Sequence, residues 1–310
     1  MIAICFGAGL SAAERQIDRV FAVKPGCALK IDTYRGAIAI EESDQDEIRV
    51  GLHLDAEAEQ EARAARSLEN VQVDLGLVDN CVTVVVRNPR ESGFHFTWQE
   101  DEPVNLRFKI LVPRKCDVSL KVVNGNAVIG NLAGRLTAHI DSGGVFFRNI
   151  DGSVHAQVDY GDVIVSRCSG PVTAHVLRGL IRVGTMGSRT ELINTTGDIE
   201  VMAVRSSLRA ETQMGDIRVG FATALAADSQ VTASGGSIIA GFQAQTACRV
   251  DAAASWGRVN SALPLTIESG AGGKRTLVGR LNGGGPLVQL RASGGSVTLT
   301  YGVPMIDEEG

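Results

Sequence analysis

Asp141 and Asp159 lie 18 residues apart. If that spacing set them side by side, two carboxylates about 5 Å apart would suit the nucleophile and acid of a retaining glycosidase. The positions a further 18, 36 and 54 residues on hold Leu177, Thr195 and Gln213, so the acidic pair also reads as part of a solvated face. Asp162, Asp198 and Asp216 each follow a glycine, and a stacked column of them could attract Ca²⁺. The calcium-binding repeat GGxGxDx is missing, however, and Asp beside Gly is ordinary turn chemistry. His139 and His175 are 36 residues apart with Gln157 midway. On stacked strands that is two steps of about 4.8 Å, too wide for one metal ion. His53, His95 and His155 show no ligand spacing, and the six cysteines (Cys5, Cys27, Cys81, Cys116, Cys168 and Cys248) form no CxxC pair. The cysteines read as small buried hydrophobes with room for a single disulfide. GxSxG, HExxH and P-loop motifs are missing too, and the stretch KRTLVGRLNGGGP lacks the phosphate-cradling arrangement. The expectation is a non-enzyme with no metal and no cofactor, although stacked strands can gather catalytic residues from distant segments.

The remaining chemistry is cationic. Arginine outnumbers lysine 24 to 6, and Arg148, Arg167, Arg182, Arg218, Arg258 and Arg291 are spread through the later chain. They could hold anionic glycans through forked hydrogen bonds, or serve only solubility and edge protection. The net charge of −5 argues against nucleic acid. That total divides into +3 over residues 117–302 (16 basic, 13 acidic) and −8 elsewhere, with nine acids between Glu41 and Glu61 in what reads as a solvated linker or helix face.

What must position these side chains is a repeat. Gly125, Gly143, Gly161, Gly179, Gly197 and Gly215 follow one another at 18-residue steps, which predicts the same turn, with φ > 0, at each. Apolar residues alternate on both sides. Seven, five and three residues before successive glycines come Val118, Leu120, Val122; Leu136, Ala138, Ile140; Val154, Ala156, Val158. Two and four after them come Ala127, Ile129; Val145, Phe147; Val163, Val165. Period-two alternation means strands with one buried face. A unit this short cannot bury that face alone, so copies must stack into an all-β solenoid resembling a parallel β-helix, with about 18 residues per coil. Aromatic residues are only 5% of the chain, so the interior is narrow and aliphatic.

The rhythm loosens after Gly215. Gly236, Gly257 and Gly295 continue it, with Gly295 closing the series, and 264–285 reads as a distorted coil or long loop. Upstream, Leu29, Ile31 and Thr33 precede Gly36, and Ile38 and Ile40 follow it, at the same offsets. Further strands are expected at 48–54, 71–75, 82–86 and 106–112, with one helix over Asp55–Glu69, whose Ala- and Glu-rich sequence could cover an open edge. The chain divides into a truncated signal peptide (1–13), a β region with a short helix continuous with the stack (14–116), the repeat solenoid (117–302) and an acidic tail (303–310). The leader rests on the apolar Ile2–Leu10 and the small residues Ser11-Ala12-Ala13; it lacks a basic start, and a first strand is the competing reading. No apolar run reaches the roughly 18 residues of a membrane-spanning helix.

The segments FAVKPGCALKIDTYRGAIAIEES, LRFKILVPRKCDVSLKVVNGNAVIGNLAG, DYGDVIV, NTTGDIEV and QMGDIRV resemble a bacterial domain-of-unknown-function family of putative adhesins with β-strand repeats. The resemblance implies an exported or envelope-associated β-solenoid, periplasmic, cell-surface or secreted. It brings no catalytic residues. The function expected is a rigid scaffold for binding or adhesion, with envelope glycans or another protein as partners. The alternatives are a self-assembling structural polymer and a polysaccharide-active β-helix enzyme.

Overall fold

The computed structural model describes residues 11–58, 61–89 and 104–302. Within them are two long sheets, of thirteen and fourteen strands, and one helix, Glu61–Glu69. The sheets lie face to face, because each winding gives one strand to each. Arg135–Ser142, for example, joins the fourteen-stranded sheet, the chain turns at Gly143, and Val145–Ile150 joins the other.

Successive windings pair in parallel and in register. Val163 is opposite Val145 and Ile181, and Ile181 is opposite Ile199. In the other sheet Leu136 lies between Val118 and Val154. The inward residues of these columns are almost fully buried. The expected β-solenoid is therefore present, flattened to two faces. Phe108, Phe147, Phe221 and Phe242 are the bulky members of a mostly aliphatic interior, and the last two stack with ring centroids 5.0 Å apart. At the narrow turn the interior turns polar: Asn194 Nδ2 donates to the Gly179 carbonyl and Thr212 Oγ1 to that of Gly197.

Gly36, Gly125, Gly143, Gly161, Gly179, Gly197 and Gly215 have φ between +120° and +154°. Their backbones nearly touch: a Cβ on Gly161 would stand 2.0 Å from the carbonyl oxygen of Gly143. Only hydrogen fits there, whatever the dihedral preference.

The windings do not stack in chain order. Cys27–Arg35 and Ala37–Ser43 form a winding that sits between 116–129 on one side and 81–113 on the other. Beyond it, Glu47–Ala58 pairs antiparallel with Val104–Pro113, Ser11–Ala22 pairs antiparallel with Glu47–Ala58, and Gln72–Val78 does the same on Cys81–Arg87. At the other end, the winding 287–301 is inserted between 229–242 and 248–261. The segment expected as a loose coil or loop forms an antiparallel hairpin, Thr266–Gly272 with Thr276–Leu281, laid on Cys248–Ala254. Gly295 thus belongs to an internal winding and does not close the stack.

The helix is shorter than the sequence suggested. Residues 55–58 continue the strand Glu47–Ala58, since Ile48, Val50, Leu52, Leu54 and Ala56 alternate inward without a break. The helix that follows packs Ala64 and Leu68 against the strands Ser11–Ala22 and Glu47–Ala58. Ser11–Ala13 open the first of these strands; residues 1–10 and 303–310, with the expected leader's apolar part and the acidic tail, lie outside the described residues.

Candidate functional site

The stacking decides what each candidate side chain can do. Ile140 pairs with Val158 and Ser142 with Tyr160, so Asp141 and Asp159 are neighbours on the outer face of the fourteen-stranded sheet. Both are half-exposed there. His139 Nε2 lies 3.3 Å from Asp141 Oδ1, and Leu177, next in the column, is 45% exposed. Among the described residues the pair stands on a half-exposed face beside an apolar neighbour.

His139, Gln157 and His175 share one outward column. His155, which shows no ligand spacing in the sequence, lies one column over, with its ring 6.3 Å from that of His175 on the diagonal. Diagonal neighbours are not visible in an 18-residue spacing. His53 Nε2 is 3.7 Å from Asp55 Oδ1, which also accepts from Arg107 at 2.6 Å. His95 lies outside the described residues.

The turn aspartates are engaged in joining windings. Asp162 Oδ1 accepts from the Leu180 amide, Asp198 Oδ1 from the Asp216 amide and Asp216 Oδ1 from the Ser237 amide, each at 2.8 Å. Asn126 does the same for Gly144. The series passes to serines and follows the spatial order: Ser237 Oγ accepts from the Ser296 amide and Ser296 Oγ from the Arg258 amide. Charge-assisted bonds of this kind satisfy amides that the tight turn would leave orphaned.

Three of the six arginines singled out in the sequence are held by carboxylates. Arg182 Nε donates to Glu200 at 2.7 Å, and Arg218 reaches Asp198 at 3.3 Å and Glu200 at 3.9 Å, giving an Arg–Glu–Arg column over three windings. Arg291 donates to Asp251 at 2.6 Å and to its backbone carbonyl at 2.7 Å. The side-chain bond from Arg291 holds the Asp251 carboxyl below its ordinary value. A shallow depression of about 480 Å³ on the outer face near Gly51 is lined by Arg19, Arg49, Arg107 and Lys109, of which Arg49 pairs with Glu47 and Arg107 with Asp55.

The edge opposite the glycine turns differs. There a groove of about 770 Å³ runs across successive windings, and Arg114, Arg167 and Arg205 line it. All three are exposed. Among the described residues Arg167 and Arg205 make no ion pair, and Arg114 is only 3.8 Å from a solvated Glu42. Parallel register fixes the floor: Asn149 is opposite Arg167 and Arg167 opposite Thr185. Asn149 Nδ2 donates to Asn131 Oδ1, and Ser169 Oγ to Asp151 Oδ1, both at 2.7 Å, so the polar floor is ordered before any ligand arrives. Of the three arginines only Arg167 was singled out in the sequence. Arg114 precedes the glycine register, and Arg205 occupies a turn where the spacing carries no signal. Beneath this edge Cys168 is buried, and burial raises its thiol; Cys248, deeper in the stack, is pushed up to about 11 for the same reason.

No curated protein matches the chain. Among solved structures it is similar to a putative adhesin from Bacteroides fragilis, at 13% identity over 93% of this chain and 97% of that one, with a TM-score of 0.43. A putative adhesin from Parabacteroides merdae matches at 12% identity over 92% and 96%, TM-score 0.37. A putative lipid binding protein from Parabacteroides distasonis matches at 7% identity over 92% and 96%, TM-score 0.36. The family model described as Toastrack DUF4097 matches residues 27–300, which run from the first winding to the last strand in chain order. The glycine-turn motifs that carried the resemblance lie within that span, and the chain belongs to the Toastrack DUF4097 family.

Proposed function

We propose that the protein is a non-enzymatic, exported or envelope-associated scaffold that binds an anionic polysaccharide along the groove opposite the glycine turns. One observation carries this reading: Arg167 and Arg205 stand exposed over a polar floor without an ion pair among the described residues, whereas Arg182, Arg218 and Arg291 are consumed by structural carboxylates. Guanidinium forks suit carboxylate and sulfate groups, and a groove that crosses windings about 4.8 Å apart presents such forks along a line, as a polymer requires. None of the described helices is long and apolar enough to cross a membrane.

The test is titration of the purified chain with polygalacturonate and dextran sulfate, with neutral dextran as control. Saturable binding is expected to the two polyanions only. It should weaken as salt rises and fall about tenfold or more in the Arg167→Glu/Arg205→Glu variant. Equal binding to neutral dextran, or no loss on charge reversal, would overturn the proposal.

A further inference from the structure

Cys27 and Cys116 open two adjacent parallel strands and stand directly opposite each other. Both point inward and are 1% exposed. Neighbouring strands are about 4.8 Å apart, inside the span of roughly 4.4–6.8 Å between the α-carbons of bonded cysteines. Cys27 Sγ donates to the Lys115 carbonyl at 4.0 Å and Cys116 Sγ to the Asp117 carbonyl at 3.6 Å. The backbone beside them is clamped as well, since the Gly26 amide donates to the Lys115 carbonyl at 3.1 Å. Of the other cysteines, Cys81 is opposite Ala28 and so faces the other side of the sheet, and Cys168 and Cys248 lie in windings remote from both.

From this juxtaposition we propose that Cys27 and Cys116 form a disulfide when the chain folds in an oxidising compartment. The location gives the bond a purpose. The chain leaves the stack after Ser43, builds most of the first end of the molecule beneath the edge strand Ser11–Ala22, and rejoins at Cys116 beside the winding it left. A bond here closes that excursion into a covalent loop. The oxidant is a disulfide RSSR, either glutathione disulfide or a protein disulfide oxidoreductase. One of the two thiolates attacks one sulfur and releases RS⁻; the other then displaces the second RS⁻ from the mixed disulfide. Two thiols are oxidised, RSSR is reduced to two RSH, and the two protons pass to the departing thiolates. Both sulfurs are buried in the finished stack, so exchange precedes closure of the windings.

This inference stands apart from the arginine groove. The full chain is prepared in two ways, by refolding from guanidinium in a glutathione redox couple and by isolation from an oxidising expression compartment. Free thiols counted under denaturing conditions should fall from six to four. Peptide mapping should link Cys27 to Cys116, and the thermal midpoint should lie about 5 °C above that of the reduced chain. Cys116→Ser should retain all five of its thiols. Six free thiols in both preparations, or a bond to any other cysteine, would overturn the proposal. The Arg167→Glu/Arg205→Glu variant should form the bond normally, so failure here and failure of polyanion binding are separate results.

Discussion

Gly161 has φ +145°, with the Gly143 carbonyl oxygen where its methyl group would stand in alanine. Two penalties then act together, a disfavoured dihedral and a backbone collision that no side-chain rotation relieves. Gly161→Ala should lower the free energy of unfolding by about 2–4 kcal/mol in urea denaturation, whereas Gly273→Ala, on the exposed hairpin turn, should change it by less than about 0.5 kcal/mol. This part of the molecule was legible in the sequence, because a position that tolerates only glycine leaves its mark at every recurrence. The roles of Asp162, Asp198 and Asp216 were legible only as turn chemistry. That each carboxylate caps the next winding's amide depends on the stacking distance, which one unit alone does not display.

Between elements the information thins. Leu29, Ile31 and the alternating residues of the later repeats announced strands and an inward face. All windings present the same edges, however, so periodicity states that they pair and leaves open which follows which. The insertion of 287–301 is invisible for that reason, although Arg291 and Asp251 mark it by bridging inserted and outer windings. That bridge makes a pH prediction. The Asp251 carboxyl is depressed in the folded state, chiefly by the Arg291 hydrogen bond, so its stabilisation is complete above the unfolded value of about 3.9 and is lost as pH falls through the lower folded value. Asp251→Asn should therefore lower the urea midpoint at pH 7 and show a smaller further loss than the parent between pH 4 and pH 2. An equal acid loss in both proteins would count against this origin. The helix was misplaced for a related reason: the composition of Asp55–Glu69 favours helix, but inward alternation through Ala56 keeps the first residues in the sheet.

At the scale of the molecule, the parallel sheets could template further copies at either end, since strand edges carry unpaired amides and carbonyls. The ends are built differently from the middle. Antiparallel strands close both sheets at the first end, Ser11–Ala22 and Gln72–Val78, and the fourteen-stranded sheet at the other, Thr266–Gly272, where the thirteen-stranded sheet ends on the three-residue parallel strand Val259–Ser261; Ser11–Ala22 carries Glu14, Arg15, Asp18 and Arg19 along its outer edge. A second copy would meet mismatched direction and charge. Sedimentation velocity should show one species whose coefficient does not rise with concentration, and a growing series would favour the polymer reading. The groove of Arg114, Arg167 and Arg205 also belongs to this scale. It exists only because five successive windings, from Asn131 to Arg205, and the segment before Cys116 converge on one edge, so a single repeat points to one of its three arginines.

Residues 287–301 occupy the place of a keystone. A ribosome releases the outermost course, 248–261, before the one that seats it, and until the final strand emerges that course has no foundation to rest on. A nonsense codon just before residue 287 would consequently not trim the protein from its tip; it would cut the column through and set the course 248–261 adrift.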